Sequence, residues 1–173
     1  MRTRTLLSIA LAVSWATASA RDYMGMEPVI VDATEIEGVT NASGETIKIL
    51  LRADDTAGQY TVISDEFADR TSVGLHKHDW HDEGFYVIRG SYSIVNGDEN
   101  VRHTVTEDTM VFTPRGTLHA WTALEPDSKF ILIYTPGGWE HYFEAAGQLT
   151  EEQRNDEEFM AEFRLSYDAI YFQ

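Results

Sequence analysis

The sequence predicts an all-β barrel followed by an α-helical tail, and three observations carry that reading. Short runs rich in β-branched and aromatic residues recur from Val29 to Tyr134, separated by turn signals. Nothing between them has the apolar period of a βαβ crossover helix. The period changes only in the tail, where apolar residues return at helical spacing.

Taken in order, residues 1–20 read as a secretory leader. Arg2 and Arg4 give the positive start, Leu6 to Val13 the apolar centre, and Ala18-Ser19-Ala20 a small-residue cleavage site. The apolar run is shorter than the about 20 residues a bilayer span needs. Cleavage after Ala20 and a secreted or secretory-pathway protein are expected. Asn41-Ala42-Ser43 is an N-glycosylation sequon compatible with that route.

Strands are expected at Val29–Val31, Thr46–Leu51, Gln59–Ile63, Gly84–Arg89, Tyr92–Val95, Val101–Val105, Met110–Thr113, Leu118–Ala123 and Phe130–Tyr134. Turns fall at Ala57-Gly58, Arg89-Gly90, Asn96-Gly97-Asp98, Glu125-Pro126-Asp127 and Pro136-Gly137-Gly138. Asn96-Gly97 is the strongest hairpin mark. Trp139 to Ala146 reads as a short helix stopped by Gly147, and Thr150 with Gln153 resembles a capping box. Beyond it Phe159, Phe163, Tyr167, Ile170 and Tyr171 share one helical face. That face is expected to pack on the outside of the barrel or against a second subunit. Residues 21–173 thus read as one domain, with a barrel core over about 46–138 and helices over 139–171.

The net charge of −16 becomes −18 once Arg2 and Arg4 leave with the leader. Such a chain repels nucleic-acid phosphates and anionic membranes, so neither is an expected partner. The polar face of the tail is acidic, which also opposes membrane insertion. A small neutral, aromatic or cationic partner fits better. Cysteine is absent, so any metal must sit on histidine and carboxylate.

Such residues cluster in His76-Lys77-His78-Asp79-Trp80-His81-Asp82-Glu83, which runs on to Gly90. On a strand His76 and His78 project to one side, about 6.5–7 Å apart along the chain. Two imidazoles there can converge on one ion, and a turn through Asp79 to Asp82 can return Glu83 as a third ligand. His119, placed by the turn at Pro114 and Gly116, is the natural fourth. Three imidazoles and a carboxylate suit Fe, Mn, Ni, Cu or Zn without choosing among them. His81, His103 and His141 fit no slot. His81 suits a supporting place or the pocket mouth, and the other two the surface.

The two segments, His-x-His-x4-Glu-x6-Gly and Pro-x-Gly-x2-His, resemble the two signature motifs of the cupin superfamily, with the short spacer Ser91 to Glu107 of small single-domain cupins. The similarity covers roughly Tyr60 to Leu149. It includes Thr135-Pro136-Gly137-Gly138-Trp139-Glu140-His141-Tyr142-Phe143, which looks like the ending of quercetin-2,3-dioxygenase-like cupins. Arg70 and Asp108 stand where the family often has glycine, and Ala123 where it has asparagine. The resemblance implies a double-stranded β-helix, or jelly-roll barrel, with His76, His78, Glu83 and His119 on the metal. It also implies a second duty for Glu83, as catalytic base toward a substrate hydroxyl.

By strand alternation His119 projects with Trp121, and Glu83 with Phe85 and Val87; Tyr60, Val62, Phe112 and Tyr134 are further wall candidates. An aromatic wall around an open metal suits a phenol, flavonoid or polyketide. The leading expectation is therefore a metal-dependent cupin enzyme, a dioxygenase acting on an aromatic or enolised small molecule. Two alternatives stand beside it: a metal-dependent isomerase, cyclase or decarboxylase of natural-product biosynthesis, and a cupin that binds a ligand without turnover. Family habit and the apolar face of the tail point to a homodimer.

Overall fold

A computed structural model describes residues 26–40 and 45–172. The expected leader and the sequon at Asn41 lie outside the described residues. Two antiparallel sheets face each other. The first contains β1 (Val39–Thr40), β2 (Glu45–Leu51), β3 (Thr61–Phe67), β5 (Asp82–Arg89), β8 (Met110–Thr113) and β10 (Ser128–Thr135), in the order β1-β2-β3-β10-β5-β8. The second contains β4 (Ser72–Lys77), β6 (Tyr92–Asn96), β7 (His103–Val105), β9 (His119–Ala123) and β11 (Ile170–Tyr171), in the order β11-β4-β9-β6-β7. Helices α1 (Glu140–Gly147), α2 (Glu151–Asn155) and α3 (Glu157–Ser166) lie between β10 and β11.

The alternation that predicted the strands also decides what faces inward. On β10, Ser128, Phe130, Leu132 and Tyr134 are buried and the residues between them are half-buried. Register carries this face across the sheet in rows. Tyr134 pairs with Thr61 and Glu83, Leu132 with Ile63 and Phe85, and Phe130 with Asp65 and Val87. Phe67, Phe85, Tyr92, Trp121 and Phe130 fill the lower rows as an aromatic core, with Phe85 and Phe130 centroids 4.2 Å apart. Gly90 turns β5 into β6 at φ 91°, and a Cβ there would collide with Ser128, so the position admits little else.

Three local expectations change. Val29–Val31 is not a strand but irregular and exposed, because no neighbouring strand pairs with it. Strand β4, which carries His76, runs for six residues in a stretch that was absent from the expected strands. The tail helix stops at Ser166; Asp168 takes a left-handed φ of 66°, and Ile170 and Tyr171 pair with Lys77 and His76 as a strand. A sheet edge beside β4 thus overrides the helical spacing of those two residues. The capping box does form, with Thr150 accepting from the Gln153 N–H and the Gln153 side chain accepting from the Thr150 N–H. Asp108, standing where a glycine is usual, adopts φ 62°, a conformation aspartate tolerates. No described helix is long and apolar enough to cross a membrane.

Candidate metal centre and its cavity

His76 is the last residue but one of β4, His78 follows the strand, Glu83 is the second residue of β5 and His119 opens β9. His76 and His119 are direct cross-strand partners, and Glu83 sits across from Tyr134. The turn ahead of His119 is tied to the first motif, since the Gly116 N–H donates to the His78 carbonyl. Gly116 holds φ 79° to make that approach. All four side chains are buried, and their ligand atoms lie within 4.8 Å of one another.

Each histidine is oriented through its far nitrogen. The Nδ1 atoms of His76, His78 and His119 lie 2.9, 2.7 and 3.0 Å from the carbonyls of Gly74, Asp168 and Thr117. A carbonyl only accepts, so each Nδ1 carries the proton and each Nε2 keeps a lone pair. The Nε2 atoms of His78 and His119 are buried without a hydrogen-bond partner, each 3.3 Å from Glu83 Oε2. Buried lone pairs aimed at one carboxylate are costly unless a cation lies among them. The donor set therefore fits a metal ion of the cupin kind.

The electrostatics agree with a cation's seat. Burial would raise the Glu83 carboxyl, but His119 and His78 outweigh it and hold it well below the usual carboxylate range. His76 is pushed down to about 4, first by burial and then by His119. Burial would lower His119 too, yet its contact with Glu83 leaves it raised. Tyr134 is driven well above the ordinary phenol range, first by burial and then by the neighbouring Glu83.

Residues 66–133 match the family model of the cupin domain. The chain carries a cupin domain. It is 23% identical over 128 residues to quercetin 2,3-dioxygenase of Bacillus subtilis (strain 168), a match covering 73% of this chain and 37% of that protein. This cupin thus spans little more than a third of that relative's length. Among solved structures, KdgF from Halomonas sp. aligns with a TM-score of 0.59 at 21% identity, over 66% of this chain and 99% of that one. The polyketide cyclase RemF from Streptomyces resistomycificus aligns with a TM-score of 0.51 at 23% identity, over 64% and 80%. These likenesses establish the fold.

In this cupin the centre opens on a cavity of about 300 Å³. His76 and Glu83 line it, with Trp121, Tyr134, Trp139 and Tyr142 among its walls. Tyr134, Trp139 and Tyr142 form a stack with successive centroids 4.8 and 5.3 Å apart. The sequence-derived wall residues separate accordingly. Trp121 and Tyr134 line the cavity, whereas Phe85 lies one row down, in the aromatic core. Phe112 and Tyr60 are off the wall, at 56% and 40% exposure. Phe112 pairs with Gly84 on the outward face, and Tyr60 precedes Thr61, whose own side chain takes the inward direction.

Several contributors were not visible from the motifs. The ring of Tyr171 stacks on His76 at 5.0 Å and 14°, and the Arg164 guanidinium lies over the Tyr171 ring, 4.7 Å from its centroid. Asp168 is the larger surprise. Its carbonyl accepts from His78, and its carboxylate accepts from the Asp79 and Trp80 N–H groups and contacts His81 Nδ1 at 2.8 Å. His81 is thereby a brace of the loop between the ligands. His103 and His141 are exposed.

Proposed function

We propose that this cupin is a metal-dependent enzyme acting on an aromatic or enolised small molecule, with dioxygenation of a phenol as its leading chemistry. The observation that carries the reading is the convergence of three lone-pair Nε2 atoms and Glu83 at the wall of an aromatic cavity. His76, His78, Glu83 and His119 would hold a divalent transition metal, with Fe, Mn, Ni, Cu and Zn all compatible with the donors. Such an ion supplies Lewis acidity and, if redox-active, electron exchange. The protein's own groups do the rest. Glu83, held ionised, accepts the proton of a substrate hydroxyl. Tyr134, held protonated beside it, donates a hydrogen bond to the resulting oxyanion. Trp139 and its stacked neighbours seat a planar ring. Oxygen uptake by metal-loaded protein over a panel of phenols tests this, and no uptake with any of the five metals would sink the oxygenase chemistry.

A second reading keeps the same groups and drops the oxygen. An ionised carboxylate beside a protonated phenol is an acid–base pair suited to isomerisation, cyclisation or decarboxylation. Turnover that persists under strict anaerobiosis favours it.

A further inference from the structure

The cavity wall also holds a buried carboxyl with one oxygen left without a partner among the described residues. Asp65 stands on β3, facing inward on the row of Phe130, and is 1% exposed. It lines the cavity, and its Oδ1 has no hydrogen-bond partner among the described residues. Glu45 lines the same cavity from β2. The Asp65 carboxyl is pushed well above the usual carboxylate range, first by burial and then by Glu45. A protonated Asp65 donates its proton toward Glu45 and is left with Oδ1 as a bare acceptor.

Its place in the sheet is remote from the metal ligands. Glu83 lies on the row of Tyr134 and Asp65 on the row of Phe130, four residues along β10. At about 3.3 Å per residue the two rows stand about 13 Å apart along the strand. A planar substrate reaching from one to the other would meet Glu83 at one end and the Asp65 acceptor at the other.

We propose that Asp65 is a specificity-determining residue, whose Oδ1 accepts a hydrogen bond from a hydroxyl on the part of an aromatic substrate remote from the four-residue centre. This rests on the reading of the cavity as the substrate pocket. The ligand class is a neutral phenol hydroxylated at both ends. Two neighbouring carboxyls, Asp65 and Glu45, disfavour a carboxylate or phosphate at that end. Arg154, at the exposed rim of the same cavity, offsets that charge only from outside. A ligand without the distal hydroxyl leaves the buried acceptor bare, and such a mismatch discriminates by on the order of 10- to 100-fold.

The test is binding of quercetin and galangin, which differ only in the hydroxyls of the pendant ring, to zinc-loaded protein. Zinc is redox-inert, so no turnover intrudes, and quenching of Trp121 and Trp139 fluorescence reports occupancy. Wild type is expected to bind quercetin at least about 10-fold more tightly than galangin. Asp65→Asn keeps an acceptor oxygen and should keep most of that ratio. Asp65→Val should bring it to about one, with zinc content unchanged. A wild-type ratio near one, an Asp65→Val ratio equal to wild type, or binding of neither flavonol overturns the proposal. The wild-type ratio is decisive even if Asp65→Val does not fold. Zinc content and oxygen uptake judge the metal reading separately, because neither depends on this ratio.

Discussion

At the residue scale, the structure divides its buried carboxylates by what surrounds them. Glu140 is 1% exposed and accepts from the N–H groups of Ala53 and Gly138 at 2.8 and 3.0 Å, and from the Thr61 hydroxyl. It pins the start of α1, and with it Trp139, to the barrel. Glu140→Ala is expected to cost about 2–4 kcal/mol in urea unfolding, because it strands those buried donors. Burial would raise the Glu140 carboxyl, but these donors hold it below its ordinary 4.5. The folded value is thus below the unfolded one. Its stabilisation is fully present above about pH 4.5 and is lost as pH falls through the folded value. Asp65 has the opposite sign. Its folded value is raised, so its contribution is fully present below the ordinary 3.8 and is lost as pH rises through the folded value. Asp65→Asn should therefore gain stability relative to wild type as pH rises from about 4 toward neutrality, measured by paired denaturant melts. A constant difference across that range would remove the buried-proton account.

At the element scale, the site depends on pieces far apart in the chain. His76, His78, Glu83 and His119 were legible because motif spacing fixes strand faces locally. Trp121 was legible for the same reason, being two residues from His119 on β9. Asp168 was not, because its partners His78 and His81 lie about ninety residues away and no local pattern marks a loop brace. Tyr171 was misassigned to a helix because its spacing fits one, and only the open edge of β4 converts it to a strand. Asp168→Ala is expected to lower metal affinity about 10-fold, because it frees the Asp79–Trp80 loop from the carboxylate and strains the left-handed backbone whose carbonyl orients His78. Asp168→Asn, which tolerates the left-handed conformation and keeps one acceptor, should lose less. Competition with a chelator reads both. Equal affinities in wild type and Asp168→Ala would show that the brace is dispensable.

At the scale of the whole molecule, the fold class was legible because recurrent strand runs, turn signals and the missing crossover-helix period all point one way. The outer boundaries of the fold were less so. The cavity's closure by α1, α3 and β11 arises from tertiary packing that an amphipathic pattern leaves open, since such a face suits a barrel or a second subunit equally. Dialysis against a chelator at neutral pH is expected to lower the melting temperature and restore it on addition of metal, because the ion binds only the folded form. The net charge of −16 predicts negligible retention on immobilised DNA at physiological salt. If the leader acts as its sequence suggests, the secreted chain should begin at Arg21 on N-terminal sequencing.

The bracing of His78 by Asp168 bears on when, during synthesis, the four-residue centre is completed. Ribosomal synthesis is vectorial, and every strand that carries a ligand is made before Asp168 and Tyr171 emerge. A partly made barrel can therefore present the ligand histidines while His78 still lacks its brace and His76 its stacking ring. Docking of the late segment then fixes the rings, so a chain truncated before Asp168 would keep all four candidate ligands and lose the groups that orient two of them.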